Sequence, residues 1–215
     1  MKLFLSSQDL GRHGHIAREL CGDNAKVAFI KNAQDDKPDV ERNFTTPQKK
    51  LMFEQLGFSF EEIDLRHYFG KQAKLYEKLR EFGSVWCAGG NTYILRRAMR
   101  ASGLDNILNE LVPSGQLVYG GWSAGACVAA PSLHGMERGD RPSPSVVPAA
   151  YPAKEIIWEG LGFVDFSIVP HCNMDWFIDD AQATIANYKA NNVPYVALND
   201  GDVVVVFDDM VKEYR

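Results

Sequence analysis

Residues 121–125 read Gly-Trp-Ser-Ala-Gly, with Ser123 flanked by glycines two positions away on either side and by apolar or small residues beyond them. Between a strand and a helix, that spacing lifts a serine hydroxyl out of a sharp turn, where it can attack a carbonyl carbon. The glycines let strand and helix approach, and Ala124, Gly125 and Ala126 keep the first helical turn slim. The Ala124 amide, unpaired at a helix start, can then face a developing oxyanion. A serine hydroxyl is a weak nucleophile at neutral pH, so the chemistry also needs a base and a group that orients the base.

Of the five histidines, His171 is the one at the end of an expected strand, "FSIVP" at 166–170, which puts it at the same sheet edge as Ser123. The orienting acid is expected from the loop "LHGMERGDRP", where Asp140 is preferred and Glu137 competes, giving the chain order serine, acid, histidine. A second oxyanion donor is expected from Gly89 and Gly90, which follow the strand "SVWCA", while Asn91 or Thr92 caps the next helix. Cys127 falls about one helical turn past Ser123 and should point into packing. Trp122 and Trp176 suit a core or a pocket wall, and Asp179-Asp180 suits a helix start. His13 and His15 have no further ligands nearby, so no metal is expected, and His67 and His134 read as surface residues.

The elements that must position these groups alternate along the chain. Strands are expected at "KLFLSS", "KVAFI", "FSFEEIDL", "SVWCA" and "GQLVYG", interleaved with helices over 9–20, 46–56, 71–82 and 91–101. Such alternation implies a mostly parallel sheet with helices on both faces and ligands collecting at the carboxyl ends of the strands. A proline-bearing excursion over 131–155 (Pro131, Pro142, Pro144, Pro148, Pro152) precedes "FSIVP", a helix over 179–190, and the runs "YVAL" and "DVVVVF". Asp200-Gly201 between those two runs is a turn signal, so an antiparallel C-terminal pair is expected across it.

The 215 residues, 46% of them hydrophobic, suffice for one core, and no linker-like stretch divides them, so a single domain is expected. The net charge of -5 is spread along the chain, which argues against a nucleic-acid partner. No run is long and apolar enough for a membrane span or a signal-peptide core, so no membrane partner and a cytoplasmic location are expected. Four cysteines without paired spacing signal neither a disulfide framework nor a zinc site.

Together, "GGWSAGA", the upstream "AGGNT" and the downstream "PH" resemble the dipeptidase E family of serine peptidases, related to cyanophycinase, over nearly the whole chain. The resemblance implies a three-layer flavodoxin-like or class I glutamine-amidotransferase-like α/β fold and metal-free, cofactor-free hydrolysis of short peptides. It matches Ser123 to the nucleophile, His171 to the base, and Gly90 with Ala124 to the oxyanion donors; Asp140 resembles the family's aspartate. It also implies an arginine on the helix after the histidine to meet an N-terminal aspartate, and "DDAQATIANYKA" has none; Arg138 and Arg141 are the nearby loop substitutes. An amidase or esterase using the same serine is the rival enzyme, and a non-catalytic binding protein the rival from another class. A homodimer is a further expectation.

Overall fold

The computed structural model describes residues 1–142 and 147–215; Pro144 of the expected excursion lies outside the described residues. Strands β1 (Lys2–Ser6), β2 (Lys26–Ile30), β3 (Ser59–Glu62), β4 (Ser84–Cys87) and β5 (Val118–Trp122) are parallel. With β8 (Val203–Phe207) and β9 (Met210–Tyr214) they form a seven-stranded sheet in the order β3-β2-β4-β5-β1-β8-β9.

Alternate residues of each inner strand feed opposite cores. Leu3 and Leu5 of β1 join one buried cluster and Phe4 the other, so the sheet is covered on both faces. Helices α1 (Gly14–Cys21) and α3 (Thr46–Gln55) supply Leu20 and Phe53 to one face. The opposite face takes Leu75 from α4 (Gln72–Leu79), Leu95 from α5 (Thr92–Ser102) and Leu108 from α6 (Leu104–Leu111). Each fully buried leucine or phenylalanine contributes about 1.5–3 kcal/mol. The result is the expected three-layer, flavodoxin-like arrangement.

One aromatic cluster fixes the end of β5. Phe53 meets Trp86 edge-on at a centroid distance of 5.3 Å, and Phe29 lies 5.7 Å from Trp122. Trp122 is 4% exposed, so the residue just before Ser123 is anchored in core. The strand starts at Val118 rather than at the expected residue 115, because Gly115, at φ +75°, still belongs to the turn leaving α6.

Two expectations about connectivity need correction. The antiparallel C-terminal pair exists, but it is β8 with β9, and β8 also pairs antiparallel with β1. The run "YVAL" forms β7 (Tyr195–Ala197), which pairs in parallel with β6 (Ser167–Val169) in a separate two-stranded sheet. The Asp200-Gly201 turn is present, with Asp202 N–H donating to Asn199 O at 2.9 Å, yet it redirects the chain between sheets rather than closing a hairpin. Val203 to Val206 are buried, as a strand beside β1 must be and a solvent-facing hairpin would not. Helices α2 (Asp39–Phe44) and α6 and strand β9 are additional to the expected elements. Among the described residues between α7 (Ala124–Cys127) and β6, the chain runs in turns and extended segments with one bridge, Ser132 to Glu159. Helix α8 (Ile178–Ala190) then packs against β6 and β7.

Candidate active site

Ser123 sits between β5 and α7 at φ 50°, ψ -117°, a conformation costly for a residue with a Cβ. Strain of this kind, about 1–3 kcal/mol, persists only where the surroundings impose it. Here the Ser123 amide donates to Ser6 O at 3.1 Å, and its carbonyl accepts from Cys127 N–H at 2.9 Å, so the turn is pinned on both sides. Gly125 explains the close approach: a Cβ there would sit 2.0 Å from the carbonyl oxygen of Cys87 on β4. Gly90, at φ +145°, could not carry a Cβ either, because Ala33 O would lie 2.4 Å from it.

His171 follows β6 by two residues, so it reaches the site from the small sheet and not from the main sheet edge that the sequence suggested. It is 4% exposed and also has a positive φ, 60°. Its ring packs against Trp176 at 4.8 Å and Phe177 at 5.7 Å, leaving Trp176 itself 64% exposed. The Nδ1 atom lies 2.7 Å from Asp200 Oδ1, which makes Asp200 the acid that meets the imidazole. Asp200 is held in turn by the Ser7 hydroxyl, which donates to Oδ1 at 2.7 Å, and by Asn173, whose side-chain oxygen accepts the Asp200 amide at 2.8 Å.

Neither acid expected from the loop meets His171. Asp140 Oδ2 accepts from the Thr92 amide at 2.9 Å and from the Thr92 hydroxyl, so it clamps the start of α5. Burial pushes the Asp140 carboxyl up to about 6, against the lowering effect of the Thr92 hydrogen bonds. Glu137 accepts from the Gly135 amide at 2.6 Å and stays within its own loop. The chain order is therefore serine, histidine, acid. Asp200 was in view in the sequence, but as a turn residue; its preference for turns masks a second use of the same side chain.

A cavity of about 380 Å³ has Ser123, Ala124, Gly90, His171 and Asp140 on its wall, whereas Asp200 stands behind the imidazole and does not line it. No hydrogen bond joins Ser123 Oγ to His171 among the described residues; such contacts are often long without substrate and tighten in the complex. The backbone amides of Gly90 and Ala124 carry no backbone partner among the described residues, as oxyanion donors require. Gly89 lies behind Ser123, where an added Cβ would sit 3.0 Å from the serine Cβ. Asn91 caps α5, accepting from the amides of Tyr93 and Ile94 at 3.0 Å each.

The deep wall includes Met136, Cys127 and Val169, and α8 adds Asp180 and Thr184. Cys127 is buried, its thiol is pushed up by that burial, and it lies 3.5 Å from Ile168 O, all consistent with packing. Lys37 stands at the rim, whereas neither Arg138 nor Arg141 lines the cavity. His13 packs on Tyr214 and His134 stacks on Trp158. Among the described residues no group of three or more potential metal ligands occurs, and no helix is long and apolar enough to cross a membrane.

The model of peptidase family S51 matches residues 5–214. The chain is 29% identical to "Uncharacterized peptidase Lmo0363" of Listeria monocytogenes over 80% of its own length and 78% of the relative's. It is 36% identical to the "Probable alpha-aspartyl dipeptidase" of Drosophila melanogaster over 79% of its own length and 65% of that protein's. A crystal structure from Listeria monocytogenes EGD-e, of a protein provisionally called peptidase E, superposes with a TM-score of 0.79 at 24% identity, covering 100% of this chain and 98% of that one, and so shares the fold. Family match, relatives and fold agree: the chain belongs to peptidase family S51 and is a peptidase.

Proposed function

We propose that the chain is a serine-type peptidase that hydrolyses short peptides through an acyl-enzyme on Ser123. His171 Nε2 takes the hydroxyl proton as Ser123 Oγ attacks the scissile carbonyl, and Asp200 holds the Nδ1 proton so that Nε2 faces the serine. The Gly90 and Ala124 amides receive the oxyanion. His171 then returns the proton to the leaving amine, and a water activated by the same imidazole releases the acyl product. One observation carries this reading: a strained serine turn and a histidine backed by a hydrogen-bonded aspartate open onto one cavity.

The charged cavity lining favours a peptide over a neutral ester or amide. Asp140, with Oδ2 committed to Thr92 and Oδ1 unpaired among the described residues, can meet a substrate ammonium, and Lys37 at the rim suits a terminal carboxylate. A cavity of about 380 Å³ suits a dipeptide-sized ligand rather than a folded protein. The test is hydrolysis of a dipeptide panel by wild type and Ser123→Ala at matched purity. Turnover should fall by at least about 10⁴-fold with the thermal unfolding midpoint preserved; hydrolysis retained by the variant would contradict the assignment.

A further inference from the structure

The carboxyl end of the inner strand β1 touches all three members of the proposed catalytic set. Ser6 O accepts the Ser123 amide at 3.1 Å, as described, and the next residue serves the other two. Ser7 Oγ accepts the His171 amide at 2.8 Å and donates its own proton to Asp200 Oδ1 at 2.7 Å. The Ser7 side chain is 0% exposed, so water does not reach its hydroxyl, and its amide is tied to Asp202 O at 3.3 Å. Sheet order explains why this position is available: β1 lies between β5, which ends at the nucleophile, and β8, which begins just after Asp200.

His171 comes from a different sheet and holds a left-handed backbone, so its orientation is not guaranteed by ladder hydrogen bonds. A single buried hydroxyl that grips the histidine backbone and the aspartate carboxylate locks the two to each other and to β1. Because Oδ1 is the same oxygen that meets Nδ1, displacing Ser7 changes the atom on which the imidazole depends. We propose that Ser7 is a positioning residue for the His171–Asp200 pair, an inference that rests on the peptidase reading above.

The experiment compares wild type, Ser7→Ala, Asp200→Asn and the double variant by steady-state kinetics, with the proton NMR signal of the His171 Nδ1–H recorded for wild type and Ser7→Ala. A small misplacement of a base costs up to about 10²-fold in rate, so kcat of Ser7→Ala should fall by about 10–10² with KM changed by less than about twofold. In the Asp200→Asn background the same change should add little, since Ser7 acts through that carboxylate. The Nδ1 proton signal should move or broaden in Ser7→Ala. Ser7→Cys keeps the volume but donates weakly; it should give an intermediate kcat, and it replaces the alanine variant if that one does not fold. Wild-type kcat in Ser7→Ala, an equal loss in both backgrounds, or an unmoved Nδ1 signal would overturn the proposal. If wild type and Ser123→Ala alike hydrolyse nothing, the peptidase reading fails, and the NMR signal alone still decides the role of Ser7.

Discussion

Asp200 Oδ1 lies 2.7 Å from His171 Nδ1, although Asp200 follows one strand of the small sheet and His171 the other. The two loops that leave adjacent parallel strands in the same direction necessarily run side by side, which brings the acid to the base. Asp200→Asn should therefore lower kcat by about 10³–10⁴-fold, because the amide no longer favours the tautomer with a proton on Nδ1. Asp140→Asn should act mainly on KM, since that carboxylate meets Thr92 and not the imidazole. Steady-state kinetics on both variants checks the pair; a kcat collapse in Asp140→Asn with Asp200→Asn near wild type would reverse the two roles.

The raised Asp140 pKa also sets a stability trend. Burial favours the protonated form in the folded chain, so the folded value of about 6 exceeds the ordinary carboxylate value of 3.8. Its contribution is present below the unfolded value and is lost as pH rises through about 6. Asp140→Asn, which cannot ionise, should gain stability relative to wild type as pH is raised from 4 to 7. Urea unfolding midpoints of the two proteins across that range give the answer, and a constant difference would show that the carboxyl is not perturbed by its surroundings.

Close packing at the serine turn predicts a contrast between two glycines. Gly125→Ala places a methyl 2.0 Å from the Cys87 carbonyl oxygen, which belongs to backbone and cannot rotate away. The variant should lose about 3 kcal/mol or more. Gly115→Ala meets no atom within 4 Å and pays only for its positive φ, a cost of about 1 kcal/mol. Chemical denaturation separates the two; similar losses would mean that the contact with β4 is not what requires glycine at 125.

On the proposed peptidase reading, the charges on the wall predict a substrate preference. The lining carries one cation, Lys37, and two carboxylates, Asp140 and Asp180, together with the apolar surfaces of Phe177 and Met136. An acidic side chain on the residue that donates the scissile carbonyl would face like charge, and a lysyl side chain would find a carboxylate and aromatic faces. The specificity constant for Lys-Ala should exceed that for Asp-Ala by at least about tenfold, with the ratio narrowing in Asp180→Asn. Preference for Asp-Ala would place a cation where the structure puts Asp180.

The local parts of this site are legible in the sequence, and the long-range parts are not. The turn at Ser123 is signalled by glycines two residues away on either side, although Ser6 and Cys87 hold it from a distance, and Gly89-Gly90 directly follows a strand, so both can be found by spacing. His171 is picked out by its strand, but the partner of that strand depends on sheet assignment, which the apolar runs "YVAL" and "DVVVVF" cannot reveal. Both read as β structure, although burial sends one to the small sheet and the other beside β1. The acid inherits that ambiguity: Asp200 has the sequence of a turn residue and occupies a turn, while its side chain faces a histidine 29 positions earlier. Asp140 is drawn into the site, as the loop position suggested, but by Thr92 at the start of α5.

The most direct measurement is covalent labelling by a fluorophosphonate probe, followed by peptide mapping of the labelled chain. A serine raised on this turn and served by the His171–Asp200 pair should take up one probe per chain, on Ser123, with labelling abolished in Ser123→Ala and slowed by at least about 10²-fold in His171→Ala. An unlabelled wild-type chain at saturating probe, or a label mapped to any other residue, would contradict the account.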